Sequence, residues 1–139
     1  MRFVDASVFL HAYLVPRKSL PPAIETLKGN ARAIVKRVAE GEEVATSLVH
    51  ISEVANILEA RTTLQITVDI LSGLFALRNL LVLQTSKGSY ESAVEDSRAH
   101  NIGVNDALAF VLMKKEGISE VYSFDKDFDK LKSLKRVAE

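Results

Sequence analysis

Four carboxylic acids in this sequence could build a metal site: Asp5, Glu53, Asp106 and Asp125, here called the acidic quartet. Carboxylates that converge on one cleft repel one another strongly unless a cation joins them. Divalent ions such as Mg²⁺ prefer oxygen ligands, and a bound ion activates water for attack on phosphate esters. The quartet therefore favours a metal-dependent phosphodiesterase.

Asp5 and Asp125 follow short apolar stretches that are predicted to be buried strands. Asp5 comes after Arg2–Val4 and Asp125 comes after residues 121–124, and a helical pattern follows each acid. Open α/β sheets bind their ligands at the carboxyl ends of the strands, so both positions suit a functional site. Asp5 could equally act only as the N-cap of the first helix.

Glu53 and Asp106 lie near the starts of two helical segments. Asp106 precedes the strongly apolar residues 107–113, which predict a buried helix. The simpler explanations are a solvated helix face for Glu53 and, for Asp106, a helix-dipole interaction worth roughly 0.3–1 kcal/mol. Each acid alone is weak support, so the prediction depends on the four together.

Two further acids follow Asp125. Asp127 is a second candidate for the same site, whereas Asp129 is expected to face solvent. The Asp-x-Asp-x-Asp run lacks the glycine and the terminal glutamate of a calcium loop, so a loop of that type is not predicted.

Hydrophobic periodicity predicts strands alternating with helices, and therefore a parallel sheet flanked by helices with right-handed crossovers. Asn105 is predicted to cap the last long helix. The expected strands are residues 1–4, 43–46, 80–83, 120–124 and 135–137. The expected helices are residues 6–14, 24–38, 47–60, 63–77, 86–100 and 105–117, with a turn or short helix at 125–134.

Composition narrows the classes of function. A chain of 139 residues is expected to form one domain. It has no cysteine, which excludes disulfides, zinc–thiolate sites and a cysteine nucleophile, and which fits a cytoplasmic protein. No signal peptide or membrane span is predicted. The net charge is zero, which alone argues against a strong nucleic-acid binder. Without the four acids of the quartet, 14 of the 18 acidic side chains remain to face 18 basic ones, so a nucleic-acid substrate is permitted by charge but not indicated. Acid–base catalysis is not expected from the three scattered histidines, His11, His50 and His100.

The order and setting of the acids resemble the PIN-domain family, and within it the small VapC-like toxins of prokaryotic toxin–antitoxin pairs. The resemblance lies in strand–Asp5-Ala-Ser, helical Ser-Glu53-Val, Asn-Asp106-Ala, and Tyr-Ser-Phe-Asp125-Lys-Asp-Phe. It implies one PIN-like domain over residues 1–139. Its implied fold is a three-layer α/β arrangement, with a parallel sheet of about four to five short strands between helices.

The resemblance also implies an activity and the residues that carry it. The activity would be a Mg²⁺- or Mn²⁺-dependent endoribonuclease, with the acidic quartet as catalytic and metal-binding residues. Ser7 and Ser123 would support Asp5 or a bound water by hydrogen bonding, and Asp127 is a less certain member of the site. The expected partners are RNA, a small cognate antitoxin and a second copy in a homodimer.

Several alternatives stay open. An antitoxin could place an arginine in the acidic cleft and an apolar helix on residues 24–38, although that helix face could equally be core packing. Arg17, Lys18 and Lys126 could contact phosphates or be ordinary surface charges. The chain could also be a non-catalytic PIN-like scaffold. A haloacid-dehalogenase-type phosphotransferase with Asp5 as nucleophile is a weaker alternative, because Ser7 stands where that family has a second Asp.

Overall fold

The computed structural model describes all residues, Met1–Glu139, as one parallel sheet with helices on both faces. The strands are β1 Arg2–Val4, β2 Val44–Ser47, β3 Leu80–Leu83, β4 Glu120–Tyr122 and β5 Lys135–Val137. The helices are α1 Ala6–Tyr13, α2 Pro22–Ala39, α3 Leu48–Arg61, α4 Leu64–Ala76, α5 Lys87–His100 and α6 Val104–Glu116, with a 3₁₀ turn at Lys126–Lys130. The strand order is β3-β2-β1-β4-β5, and every neighbouring pair is parallel. The predicted fold class is confirmed.

Alternating strand residues divide the core into two layers. Phe3, Ala45 and Val121 pack with α5 and α6 on one face of the sheet. Val4 and Val44 pack with α1, α2, α3 and α4 on the other face. Successive side chains of a strand point to opposite faces, so these short strands serve both layers. Helix α6 is buried along residues 107–113, as its apolar sequence predicts.

Side-chain caps define most helix starts, but the predicted cap at Asn105 is wrong. Ser47 and Thr63 each accept a hydrogen bond from the backbone N–H three residues later, which satisfies a donor at a helix start. Helix α6 begins earlier, at Val104, and its N-cap is Gly103 without a side-chain bond. The amide of Asn105 is used elsewhere, because its Oδ1 accepts a hydrogen bond from the hydroxyl of Tyr90 at 3.2 Å.

The apolar face of α2 belongs to the core. Ala31, Ile34 and Val38 are almost fully buried against the sheet layer, and only Ile24 near the start of the helix is exposed. The alternative of core packing therefore holds for this face, and an antitoxin docking there would meet little apolar surface. No helix is both long enough and apolar enough to cross a membrane.

Candidate metal site at the carboxyl end of the sheet

The candidate site lies where the direction of strand addition reverses. From β1 the chain adds β2 and β3 on one side, then β4 and β5 on the other. Asp5 follows β1 and Asp125 lies three residues after β4, so both acids flank this reversal. The N–H of Asp5 donates to the carbonyl of Tyr122 at 3.0 Å and fixes the two strand ends together. Ligands of open parallel sheets bind at such a reversal.

Asp5 is the innermost acid of the quartet. It is 4% exposed, and its Oδ2 accepts hydrogen bonds from the hydroxyls of Ser7 at 2.6 Å and Ser123 at 2.8 Å. The same carboxylate also caps α1 through a longer bond from the Ser7 N–H, at 3.4 Å. The structure thus places both serines on Asp5, and its role as the N-cap of α1 leaves it free to belong to the candidate site as well.

Asp106, Asp125 and Asp127 form a closely spaced group in which carboxylate oxygens lie within 4.8 Å of one another. The Asp127 N–H donates to Oδ1 of Asp125 at 2.8 Å, which turns the chain so that the two acids point the same way. Asp127 also pairs with Lys130 at 2.9 Å. The structure therefore puts Asp127 beside the quartet. Asp129, by contrast, is exposed and pairs with Arg136.

Glu53 completes an acidic cleft of about 370 Å³, which Gly103, Asn105, Asp106 and Asp125 also line. Burial raises the pKa of Glu53, the charge of Asp5 raises it further, and a hydrogen bond from Asn105 opposes the change. Gly103 lies directly against Asp106, because a Cβ on residue 103 would meet Oδ2 of Asp106 at 3.3 Å.

The electrostatics of Asp106 show how strongly the acids interact. Burial, together with the charges of Asp5, Asp125 and Glu53, raises the pKa of Asp106 to about 8. Without a cation, a proton must relieve the repulsion. A donor set made only of carboxylate oxygens suits a hard divalent ion such as Mg²⁺ or Mn²⁺. The residues present therefore fit the ion that the resemblance implies.

His50 lies beside Asp5, a contact that the sequence analysis did not predict. Its ring is 0% exposed, and its Nδ1 lies 2.6 Å from the hydroxyl of Ser47. Its Nε2 has no hydrogen-bond partner and lies 3.9 Å from Oδ1 of Asp5. Burial lowers the pKa of His50 although Asp5 opposes the shift, which favours the neutral ring. The spacing from Ser47 to His50 to Glu53 was the available signal.

The other two histidines are away from the acids. His11, on α1, packs edge-on against Phe124. His100 is exposed at the end of α5 and packs edge-on against Phe110. Neither ring provides a second partner for His50, so the structure offers no histidine pair.

The fold is similar to solved toxin structures at low sequence identity. VapC20 of Mycobacterium tuberculosis, described as a Sarcin-Ricin loop cleaving toxin, matches with a TM-score of 0.78, 22% identity and 100% of both chains. A toxin–antitoxin complex from Klebsiella pneumoniae matches with a TM-score of 0.65 and 15% identity, over 97% of this chain and 96% of that chain. VapBC2 of Rickettsia felis, bound to a fragment of promoter DNA, matches with a TM-score of 0.65 and 13% identity, over 98% and 96%. These identities show a shared fold.

Comparison at the level of sequence gives the family. Among curated proteins, none matches this chain significantly. The family model described as the PIN domain matches residues 2–134, which is nearly the whole sequence. The resemblance in the acidic motifs and the three-layer fold agree with that match, and the chain belongs to the PIN domain family.

Proposed function

We propose that residues 1–139 form one catalytic domain, a Mg²⁺- or Mn²⁺-dependent endoribonuclease that acts as the toxin of a type II toxin–antitoxin pair. The observation that carries the proposal is the crowding of Asp106, Asp125 and Asp127 within 4.8 Å, with Asp5 and Glu53 beside them. Among these five acids, only Asp127 forms an ion pair with a lysine or arginine, namely with Lys130. So many unneutralised acids are best explained by a bound cation.

The residues of the candidate site would have different roles. The acidic quartet of Asp5, Glu53, Asp106 and Asp125 would hold the ion, and Asp127 is a further candidate ligand. A bound ion would lower the pKa of water and stabilise charge on the attacked phosphate. Ser7 and Ser123 hold the Asp5 carboxylate in place, because both hydroxyls donate hydrogen bonds to its Oδ2.

Histidine acid–base chemistry fits the structure less well. His50 is buried without a second histidine, and its ring faces Asp5 rather than open solvent. A haloacid-dehalogenase-type reaction is also disfavoured, because Asp5 is 4% exposed and two hydroxyls occupy its Oδ2, which leaves little access for nucleophilic attack.

RNA cleavage in Mg²⁺, Mn²⁺ and EDTA tests the proposal. Hydrolysis by water leaves 5′-phosphate and 3′-hydroxyl ends, and we expect those ends only when a divalent ion is present. Asp125→Asn should reduce cleavage to the level seen in EDTA. Asp129→Asn is the matched control and should cut like the parent. Cyclic-phosphate ends formed in EDTA would contradict the mechanism.

RNA binding without cleavage under every condition would instead favour the scaffold alternative. A metal titration by calorimetry separates the two, since an active nuclease site should bind Mg²⁺ or Mn²⁺ and a scaffold that has lost the function need not.

The proposed partners are a cognate antitoxin and a second copy of the chain in the cytoplasm. An antitoxin arginine suits the acidic cleft because its planar fork bonds two carboxylate oxygens at once. Co-expression with the product of an adjacent small gene should give a stable, nuclease-inactive complex, and light scattering of the free protein should give the mass of a dimer. Recovery of only uninhibited protein would contradict the antitoxin, and a monomer mass would contradict the homodimer.

A further inference from the structure

A second concave feature lies beside the acidic cleft, bounded by α1, the segment that follows it, α2 and α3. Its volume is about 570 Å³, and its apolar wall includes Leu10, Leu14 and Ile57. Binding pockets for small organic groups have volumes of roughly 300–1,000 Å³ and walls of this kind. We call this feature the basic pocket, because Arg17, Lys28 and Arg61 line it.

The charged residues of the basic pocket are all cationic. Arg17, Lys28 and Arg61 line it, and no carboxylate does. The ion pairs of the chain lie elsewhere, so neither arginine has an acidic partner. Side chains of this kind, held near one another without a counter-ion, attract an anion.

Lys28 is the buried member of this set. It is 8% exposed, and its Nζ donates to the carbonyls of Leu14 at 3.0 Å and His11 at 3.4 Å, at the end of α1. Burial lowers its pKa, and the charge of Arg32 adds to the effect, while Glu25 opposes it. Lys28 is therefore anchored and adds positive potential rather than a mobile contact.

One side chain, that of Ser7, connects the basic pocket to Asp5 of the acidic quartet. Ser7 lines the pocket, and its hydroxyl donates to Asp5 at 2.6 Å. A polymer whose phosphate lies over the acids can thus extend into the pocket without leaving the surface. An apolar wall with cations at its rim matches a nucleotide, which has a flat base and a charged phosphate.

We propose that the basic pocket binds a nucleotide of the RNA strand next to the cleaved bond, with a phosphate on Arg17 and Arg61 and the base against Leu14 and Ile57. This assignment rests on the proposed ribonuclease function. An antitoxin segment that carries an arginine for the acidic cleft is a poorer occupant, because the cations of the pocket repel basic peptides.

The first test measures binding of a fluorescent, mixed-sequence single-stranded RNA to the full chain in Ca²⁺, with the RNA checked on a gel for integrity. Arg17→Ala/Arg61→Ala should weaken binding about tenfold at low salt. It should also reduce the dependence of log K on log salt by about 0.7, the value for one phosphate contact on a single strand. Lys87→Ala/Arg98→Ala removes the same charge from exposed positions on α5 and should bind like the parent.

A single variant at the rim guards against a folding defect. Val15 is 84% exposed and lines the pocket, so Val15→Glu should fold normally and still weaken RNA binding by placing a carboxylate there. Cleavage in Mg²⁺ supplies the second readout. The double arginine variant should raise KM about tenfold and change kcat by less than about twofold, since its contacts are to a phosphate other than the reacting one.

The outcomes separate the two proposals. Equal Kd and KM for the arginine variant and the α5 control would overturn the basic pocket while the ribonuclease function stands. If RNA binding depends on the arginines but the protein never cleaves RNA, the proposed role of the basic pocket would stand and the proposed ribonuclease function would be wrong. If the arginine variant no longer captures the antitoxin but binds RNA as the parent does, the basic pocket would bind a protein partner and the nucleotide proposal would be wrong.

Discussion

The acids at the amino end of the sheet form ion pairs with basic side chains, whereas the acidic quartet at the carboxyl end does not. At the amino end, Arg2 meets Glu120 at 3.0 Å and Glu42 at 3.2 Å, and Lys135 meets Glu120 at 3.3 Å. The hydroxyl of Tyr122 joins this network, because it accepts from Arg2 and donates to Glu42, each at 2.8 Å. At the carboxyl end, the acidic quartet has no Lys or Arg partner.

The direction of the pKa shift on an acid records this difference. A hydrogen bond from Lys135, with the charge of Arg2, lowers the pKa of Glu120. Burial and neighbouring acids raise the pKa of Asp106. An acid among bases is stabilised as an anion within the chain, whereas an acid among acids needs a ligand from outside. The ion pairs at the amino end therefore stabilise the fold, and the crowded acids at the carboxyl end agree with the proposed metal site.

The largest expected contrast is in catalysis. Glu53→Gln removes a charge from the acidic cleft and should reduce RNA cleavage to the level seen in EDTA, while the protein stays folded. Glu42→Gln makes the same chemical change at the amino end and should leave kcat and KM unchanged. Rates on one RNA substrate in Mg²⁺ measure both. Full activity of the Glu53 variant would break the comparison.

The pH dependence of stability is the second contrast. Without a bound cation the Asp106 carboxyl has a pKa of about 8 in the folded chain, against 3.8 for an ordinary aspartate. The folded state therefore holds a proton that the unfolded state has lost, and the free energy of unfolding should fall as pH rises from about 4 to about 8. Glu53, whose pKa is also raised, contributes in the same direction.

Urea unfolding across that pH window measures the slope. Asp106→Asn should flatten it, because the variant has no proton to lose. Glu42→Gln should retain the slope of the parent. A parent whose stability in EDTA rises over the same window would show that the acids are not crowded in solution.

The third contrast is stabilisation by the ion. Mg²⁺ or Mn²⁺ at about 100 times its Kd should add about 2.7 kcal/mol to the free energy of unfolding, by mass action on the folded state. Asp125→Asn should lose most of this gain, whereas Arg2→Met should keep it. Melting curves with and without EDTA give the measurement, and identical curves for the parent would count against a metal site.

The smallest expected effect is at the amino end itself. Arg2→Met should cost about 1 kcal/mol, as expected for partly exposed ion pairs, and added NaCl should lessen the cost by screening. Unfolding at low and high NaCl, in EDTA, measures it. A cost that vanishes on adding Mg²⁺ would link Arg2 to the metal site and remove the distinction between the two ends.

Much of the fold could be predicted because its signals are local. Periodicity located the strands and helices, and the caps at Ser47 and Asp5 follow from residue type. Asp5 and Asp125 could be expected together because a parallel sheet brings the carboxyl ends of its strands to one edge.

The remaining features depend on contacts between distant segments. The closeness of Asp127 arises from the turn that its N–H makes with Asp125, and His50 reaches Asp5 only after α3 packs beneath β1 and β2. The start of α6 at Val104 could not be read from Asn105, whose side chain meets Tyr90 on α5. Such tertiary pairings leave no periodic trace in the sequence.

Gly103 gives the acidic cleft a sensitivity that its chemistry alone does not suggest. The first carbon of any side chain at residue 103 would lie only 3.3 Å from Oδ2 of Asp106, a tight contact. Even alanine would press on the carboxylate, and larger residues would press on it in the same place. In a saturation mutagenesis screen for activity, substitutions at residue 103 should therefore reduce activity as substitutions of the four acids do.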